Sequence, residues 1–177
     1  MGGIRLDVSV MEISGNVFDV VATGGDPYLG GANIDTRIAD WILATIKKKH
    51  GQDLQGEARL LQKVRTAAEQ AKRELSRCKA VDLQIPLTVG TREQKAKLGL
   101  LRLHLSTVEE LGGDIVKRVL DTVRRTLNER GLKPSDVDDV ILVGGATRMP
   151  LLKNKVHRLF GKEPRQSIPP QTALSSG

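Results

Sequence analysis

Aromatic residues are nearly absent from this chain: Phe18, Tyr28, Trp41 and Phe160 are the whole set. The core must therefore be aliphatic, and stacking nucleic-acid bases on aromatic platforms is disfavoured as a function. Cys78 is the single cysteine, so no disulfide can close within the chain, which fits a reducing, cytoplasmic setting. The three histidines, His50, His104 and His157, lack ligand spacing, which argues against a zinc site. No apolar run approaches the length of about 20 residues needed to cross a bilayer, and no secretory leader opens the sequence. A formal charge of +7 invites a nucleic-acid partner. The basic residues, however, are spread along amphipathic segments (47–49, 63–77, 124–125), as on solvated helix faces. Neither nucleic acid nor membrane is expected as a partner. A length of 177 residues suits one good-sized domain or two small lobes.

The most informative stretch is 140–150. Val140, Ile141, Leu142 and Val143 form an apolar, β-branched run that predicts a fully buried strand. Gly144 and Gly145 follow, allowing a sharp turn and close approach of a ligand. Pro150 then opens a helical pattern with Leu151, Leu152, Val156, Leu159 and Phe160 as its apolar positions. Strand, double glycine and helix start offer backbone N–H groups to a phosphate or ribose. A glycine pair after a strand is, by itself, more often only a tight turn.

Elsewhere, residues 6–13 and 17–22 read as a hairpin around Ser14, Gly15 and Asn16, with Gly24 and Gly25 breaking its second strand. Ile34, Ile38, Trp41, Ile42 and Thr45 keep helical spacing up to Gly51. A polar loop at 52–56 leads to a long helix over 57–78. Strands are predicted at 81–88 and 98–105 around a charged loop that holds Lys95 and Lys97. Ser106 and Glu109 suggest a capping box for a short helix that Gly112 and Gly113 interrupt. Val116, Val119, Leu120, Val123 and Leu127 mark the next helix, stopped at Gly131.

On the 57–78 helix, Glu69, Lys72, Arg73 and Ser76 fall on one stripe (i, i+3, i+4, i+7), with Leu60, Val64, Ala67, Ala71 and Leu75 opposite. Spacing alone favours a solvated face with a modest ion pair between Glu69 and Arg73. The functional alternative needs groups able to read a purine nucleoside. Arg73 could stack its flat guanidinium on a base, and Glu69 and Ser76 could bond sugar hydroxyls.

Taken in order, four motifs resemble the seventy-kilodalton heat-shock chaperones of the DnaK type, in the second lobe of their ATPase domain. Gly2, Gly3, Ile4, Arg5, Leu6, Asp7, Val8 and Ser9 are similar to the family's Gly-Gly-Gly-Thr-Phe-Asp-Val-Ser. Gly25, Asp26, Leu29, Gly30 and Gly31 match its Gly-Asp-x-x-Leu-Gly-Gly. Residues 65–76 resemble its adenosine-contacting helix, and 143–150 its second adenosine motif. The resemblance covers essentially the whole chain.

It implies an α/β, actin-like ATPase fold: a ribonuclease-H-like layer at 1–31 and 113–177 bearing an inserted, smaller α+β upper lobe at 32–112. It implies ATP or ADP as cofactor, with magnesium in the intact parent. Gly2, Gly3, Gly30, Gly31, Glu69, Lys72, Arg73, Ser76, Gly144, Gly145, Ala146, Arg148 and Met149 are the implied nucleotide contacts. Adenine is expected between the stripe at 69–76 and the turn at 144–148. The chain is expected to be part of something longer, without the first lobe that carries the phosphate loop and catalytic lysine, and so unable to hydrolyse ATP alone. A second reading, from a different class, is a docking module in which 32–112 grips a nucleotide-exchange factor or co-chaperone without nucleotide. Departures from the family pattern also carry meaning. Ile4 and Arg5 replace a third glycine and a threonine, leaving Arg5 either a phosphate-holding cation in a degenerate ATPase or a solvated side chain. At 169–173 (Pro169, Pro170, Gln171, Thr172, Ala173) the family has Asn-Pro-Asp-Glu-Ala, so Gln171 replaces an acidic residue of the cleft.

Overall fold

Gly15 adopts φ +61° and Asn16 a negative φ, the combination of a type II′ turn whose twist suits a hairpin. In the computed structural model, which describes residues 5–51, 58–87 and 97–166, this turn joins β1 (Leu6–Ser14) to antiparallel β2 (Val17–Asp26). The expected break at Gly24 is corrected. β2 runs on through Gly24 and Gly25, which pair with Val8 and Asp7. A Cβ on Gly24 would sit 2.0 Å from Thr126 Oγ1, and one on Gly25 2.4 Å from the Leu6 carbonyl oxygen. These glycines serve close approach, not turning. A bulge between Val10 and Met11 then moves the apolar side chains to the opposite face. Leu6, Val8, Val10 and Ala22 share one face, whereas beyond the bulge Met11, Ile13, Phe18 and Val20 share the other, each 55–65% exposed.

The described residues divide into two compact units, 5–29 with 116–166, and 30–51, 58–87 with 97–115. The boundary falls inside α3 (Leu105–Asn128), a single helix of 24 residues. The expected interruption at Gly112 and Gly113 does not occur. Each glycine costs a helix about 1 kcal/mol, which the burial of Val108, Ile115, Val116, Leu120 and Leu127 along α3 outweighs at about 1.5–3 kcal/mol each. Ser106 lies inside this helix rather than capping it, and Leu105 belongs to the helix and not to the preceding strand.

In the first unit, β2 meets the second half of α3 where Gly24 faces Thr126. A short β5 (Ile141–Leu142) pairs in parallel with β6 (Arg165–Gln166). Between them come a 3-10 turn (Gly145–Arg148) and α4 (Pro150–Phe160), which starts with proline at its first position and ends at Gly161, φ +67°. The prediction of a fully buried strand over 140–143 is corrected: only two residues form the strand, and Ile141 and Val143 are 62% and 71% exposed. β-Branched composition sets strand propensity, but burial needs neighbours on both sides, and among the described residues β5 has only β6.

In the second unit, α1 (Gly31–His50) buries Ile34, Ile38, Ile42 and Ile46, one per turn. Its carboxyl end carries Lys47, Lys48, Lys49 and His50, which suit the helix dipole, and Gly51 closes it at φ +67°. α2 (Ala58–Glu74) has no glycine or proline and buries Leu60, Val64, Ala68 and Ala71, with Leu75 just beyond it. Ala68, rather than the expected Ala67, is the core residue. The helix also stops short of the predicted 78, the chain turning at 75–77. β3 (Ala80–Leu87) and β4 (Lys97–His104) form an antiparallel hairpin that buries Leu83, Ile85, Leu101 and Leu103. Lys97 therefore opens a strand instead of lying in the loop; Thr88 and Lys95 fall outside the described residues. No helix among the described residues is long and apolar enough to cross a membrane.

Candidate functional site

The polar stripe of α2 forms, but its four members play different parts. Arg73 donates to Glu69 one turn earlier, and its side chain is 66% exposed, so its guanidinium face is open to solvent. The ion pair expected from spacing is thus made. Ser76 lies in the turn after the helix, where its backbone N–H donates to the Arg73 carbonyl at 3.3 Å and its Oγ to the Lys72 carbonyl at 3.3 Å. Both bonds keep it on the stripe.

Lys72 is turned inward, its side chain 8% exposed. Its ammonium donates to the Gly31 carbonyl at 2.9 Å and lies 2.6 Å from the Asp35 carboxylate. Its side chain is therefore not displayed with those of Glu69 and Arg73. Burial pushes the Asp35 carboxyl above the usual aspartate range, against the opposing hydrogen bond and charge of Lys72. Glu69 pushes Asp35 in the same direction as burial and Arg73 against it.

Gly30 and Gly31 open α1. The Gly30 N–H donates to Asn33 Oδ1 at 2.8 Å, and the Asn33 N–H returns to the Gly30 carbonyl at 3.1 Å. Asn33 thus caps the helix as the third member of a reciprocal box. The signal lies three residues after Gly30, where the lack of a capping side chain on glycine hides it. Asp35 was missed as well: it belongs to none of the four motifs, and only the fold brings it to Lys72.

In the other unit, Gly144 sits at φ +103°, where a side chain would be strained. The Thr147 hydroxyl donates to its carbonyl at 2.6 Å, and the Thr147 N–H to the same oxygen at 3.3 Å. Gln166 Nε2 steadies the turn through the Thr147 carbonyl at 3.4 Å. A Cβ added to Gly145 would meet nothing within 4 Å, so a ligand atom could come close to this backbone. Arg148 is exposed and Ala146 half-buried. Met149 is only 4% exposed, so its side chain packs in the core. The apolar rhythm that makes 149–160 amphipathic already includes it.

Gly2, Gly3 and Ile4 lie outside the described residues, as do 169–173. Arg5 is exposed and bonded to Asp7 Oδ1 through Nη2 at 2.6 Å and Nε at 3.1 Å. In the Gly25–Gly31 motif, Asp26 accepts the Tyr28 N–H at 2.9 Å and Arg118 Nη2 at 2.7 Å. Chiefly that backbone bond, and then Arg118, hold its carboxyl below the usual range.

Residues 1–177 match the Hsp70 protein family throughout. The chain belongs to that family. It is 41% identical over 177 residues to the chaperone protein DnaK of Thermosipho melanesiensis, covering 100% of this chain and 30% of that protein. Chaperone protein DnaK 1 of a Synechococcus strain is 40% identical over the same length, with 24% of its own chain covered. Chaperone protein DnaK of Thermotoga neapolitana is 39% identical over 178 residues, with 30% covered. The chain therefore spans less than a third of the length of these relatives. Membership in the Hsp70 family implies an actin-like ATPase fold, and the mixed α/β elements and small sheets of the present structure are compatible with it.

Proposed function

We propose that this Hsp70-family chain is an adenine-nucleotide-binding part of a cytoplasmic chaperone ATPase, corresponding to the second lobe of the ATPase domain. In this reading 1–31 with 113–177 form the ribonuclease-H-like base and 32–112 the upper subdomain. Arg73 carries the reading: its guanidinium is solvent-facing, braced by Glu69 on a helix whose other face is packed. A planar, permanently charged group held this way suits the face of a purine, and Glu69 and Ser76 suit ribose hydroxyls. The open backbone at Gly144 and Gly145, in the other unit, by itself suits close approach of a nucleotide. These residues fit ATP or ADP; the terminal phosphate of ATP supplies the chemistry when bound. Phosphoryl transfer depends on groups that surround the phosphates with positive charge and metal. A chain spanning 30% of its relatives supplies part of that surround, so it binds but does not hydrolyse by itself.

Calorimetric titration with ADP tests this. The purified chain should show weak, saturable binding, and Arg73→Ala and Gly145→Val should each weaken it by about tenfold or more. Unchanged affinity in both variants would defeat the nucleotide reading. Turnover of ATP at the rate of a full-length relative would defeat the claim that the chain cannot hydrolyse alone.

A further inference from the structure

Two consecutive glycines leave the peptide between Gly144 and Gly145 free to rotate, because glycine takes positive and negative φ with similar ease. Gly144 stands at φ +103° and ψ 163°, a region open in practice only to glycine. Packing does not hold this peptide, since a Cβ built on either glycine would have nothing within 4 Å. The strand before it pairs over two residues only, and the first buried residue after it is Met149. Hydrogen bonds must fix its orientation, and among the described residues those to the Gly144 carbonyl both come from Thr147. The Thr147 hydroxyl donates at 2.6 Å and its N–H, to the same oxygen, at 3.3 Å. The N–H bond is that of a single 3-10 turn, whose geometry is poorer than that of an α-helix. The short hydroxyl bond is the firmer hold.

A peptide unit is planar and trans, so the Gly144 carbonyl and the Gly145 N–H point in opposite directions. Pinning the carbonyl toward Thr147 turns that N–H away from Thr147. Among the described residues the Gly145 N–H has no acceptor of its own. Gln166, from β6, steadies the threonine in turn through its carbonyl.

We propose that Thr147 is a positioning residue for the turn that receives the nucleotide. Its hydroxyl locks the Gly144 carbonyl and so presents the Gly145 N–H, ready oriented, to an acceptor atom of the ligand. This rests on the nucleotide reading above. Thr147 acts through the Gly144–Gly145 peptide, lowering the ordering cost that binding would otherwise meet.

ADP is the probe, titrated calorimetrically into the 177-residue chain and its variants, with thermal melting in parallel. Thr147→Val keeps the branched shape and removes only the hydroxyl bond. It should weaken ADP binding about fivefold, the scale of one neutral hydrogen bond. It should melt near the parent, because the turn lies at the surface and Thr147 is only half-buried. Thr147→Ser keeps the hydroxyl and loses the methyl, and should bind ADP like the parent. A role confined to packing would reverse that order, with serine the weaker binder. Should Thr147→Val fail to fold, Thr147→Ala takes its place in the comparison with serine. Parent-like affinity in the variant without the hydroxyl overturns the proposal, and so does a serine variant that binds no better than it. If the parent shows no saturable ADP binding, the nucleotide reading falls first and this inference falls with it.

Discussion

Gly24 shows how much one hydrogen atom in place of a methyl group can decide. Its Cα faces Thr126 so closely that an added Cβ would lie 2.0 Å from Oγ1 and 3.1 Å from the threonine Cβ. Thr126 cannot easily give way, because it is 1% exposed and its hydroxyl donates to the Thr122 carbonyl at 3.0 Å. Gly24→Ala should destabilise the chain by about 1–3 kcal/mol, the usual cost of overpacking. Placed on a Thr126→Ala background it should cost less, a coupling that a double-mutant cycle in urea would read. Additive losses would mean that the two residues do not meet. At this scale the sequence was most often misleading. A glycine pair reads as a break, and a lysine on a polar stripe reads as exposed. In both cases a partner distant in sequence, Thr126 for Gly24 and Asp35 for Lys72, decides where the residue sits.

At the level of elements, periodicity was a reliable guide and punctuation was not. α1, α2 and α4 appear where apolar spacing placed them, since a run of residues at i, i+3 and i+4 can bury its apolar stripe only as a helix. Gly112 and Gly113 read as a stop, yet α3 runs through both. Gly113 is exposed, lies inside the helix and has nothing within 4 Å of an added Cβ. Gly113→Ala should therefore stabilise α3 by about 0.5–1 kcal/mol, seen as a rise in melting temperature. A fall would show that the glycine is needed for conformation or contact. The β1–β2 hairpin was legible from its turn residues, but not its change of apolar face. That change depends on one extra residue at a bulge, which alternation within either strand does not reveal.

At the scale of the whole molecule, the charges of the described residues are mostly on the surface and their pH dependence has two signs. Asp26 and Glu163 have carboxyls held below their usual range, Asp26 by the Tyr28 N–H and Arg118, Glu163 by Lys153 and His157. For such groups the unfolded chain binds the proton more tightly. The stability they contribute is present above the ordinary carboxylate values and is lost as pH falls through the depressed folded ones. Asp35 is raised, so its contribution is present below the ordinary aspartate value and lost as pH rises through the folded one. Melting temperature should consequently fall on acidification through the carboxylate range, and the fall should be shallower in Asp26→Asn/Glu163→Gln. An identical acid profile in that double variant would show that the two carboxylates do not govern acid unfolding. By itself the sequence determined the family, through four motifs in order, and the helices, through apolar spacing, because both are written in local residue patterns. Tertiary structure alone decided which motif residues face solvent, that Asp35 holds Lys72, and how little of 140–143 is covered, because burial and pairing depend on neighbours far away along the chain.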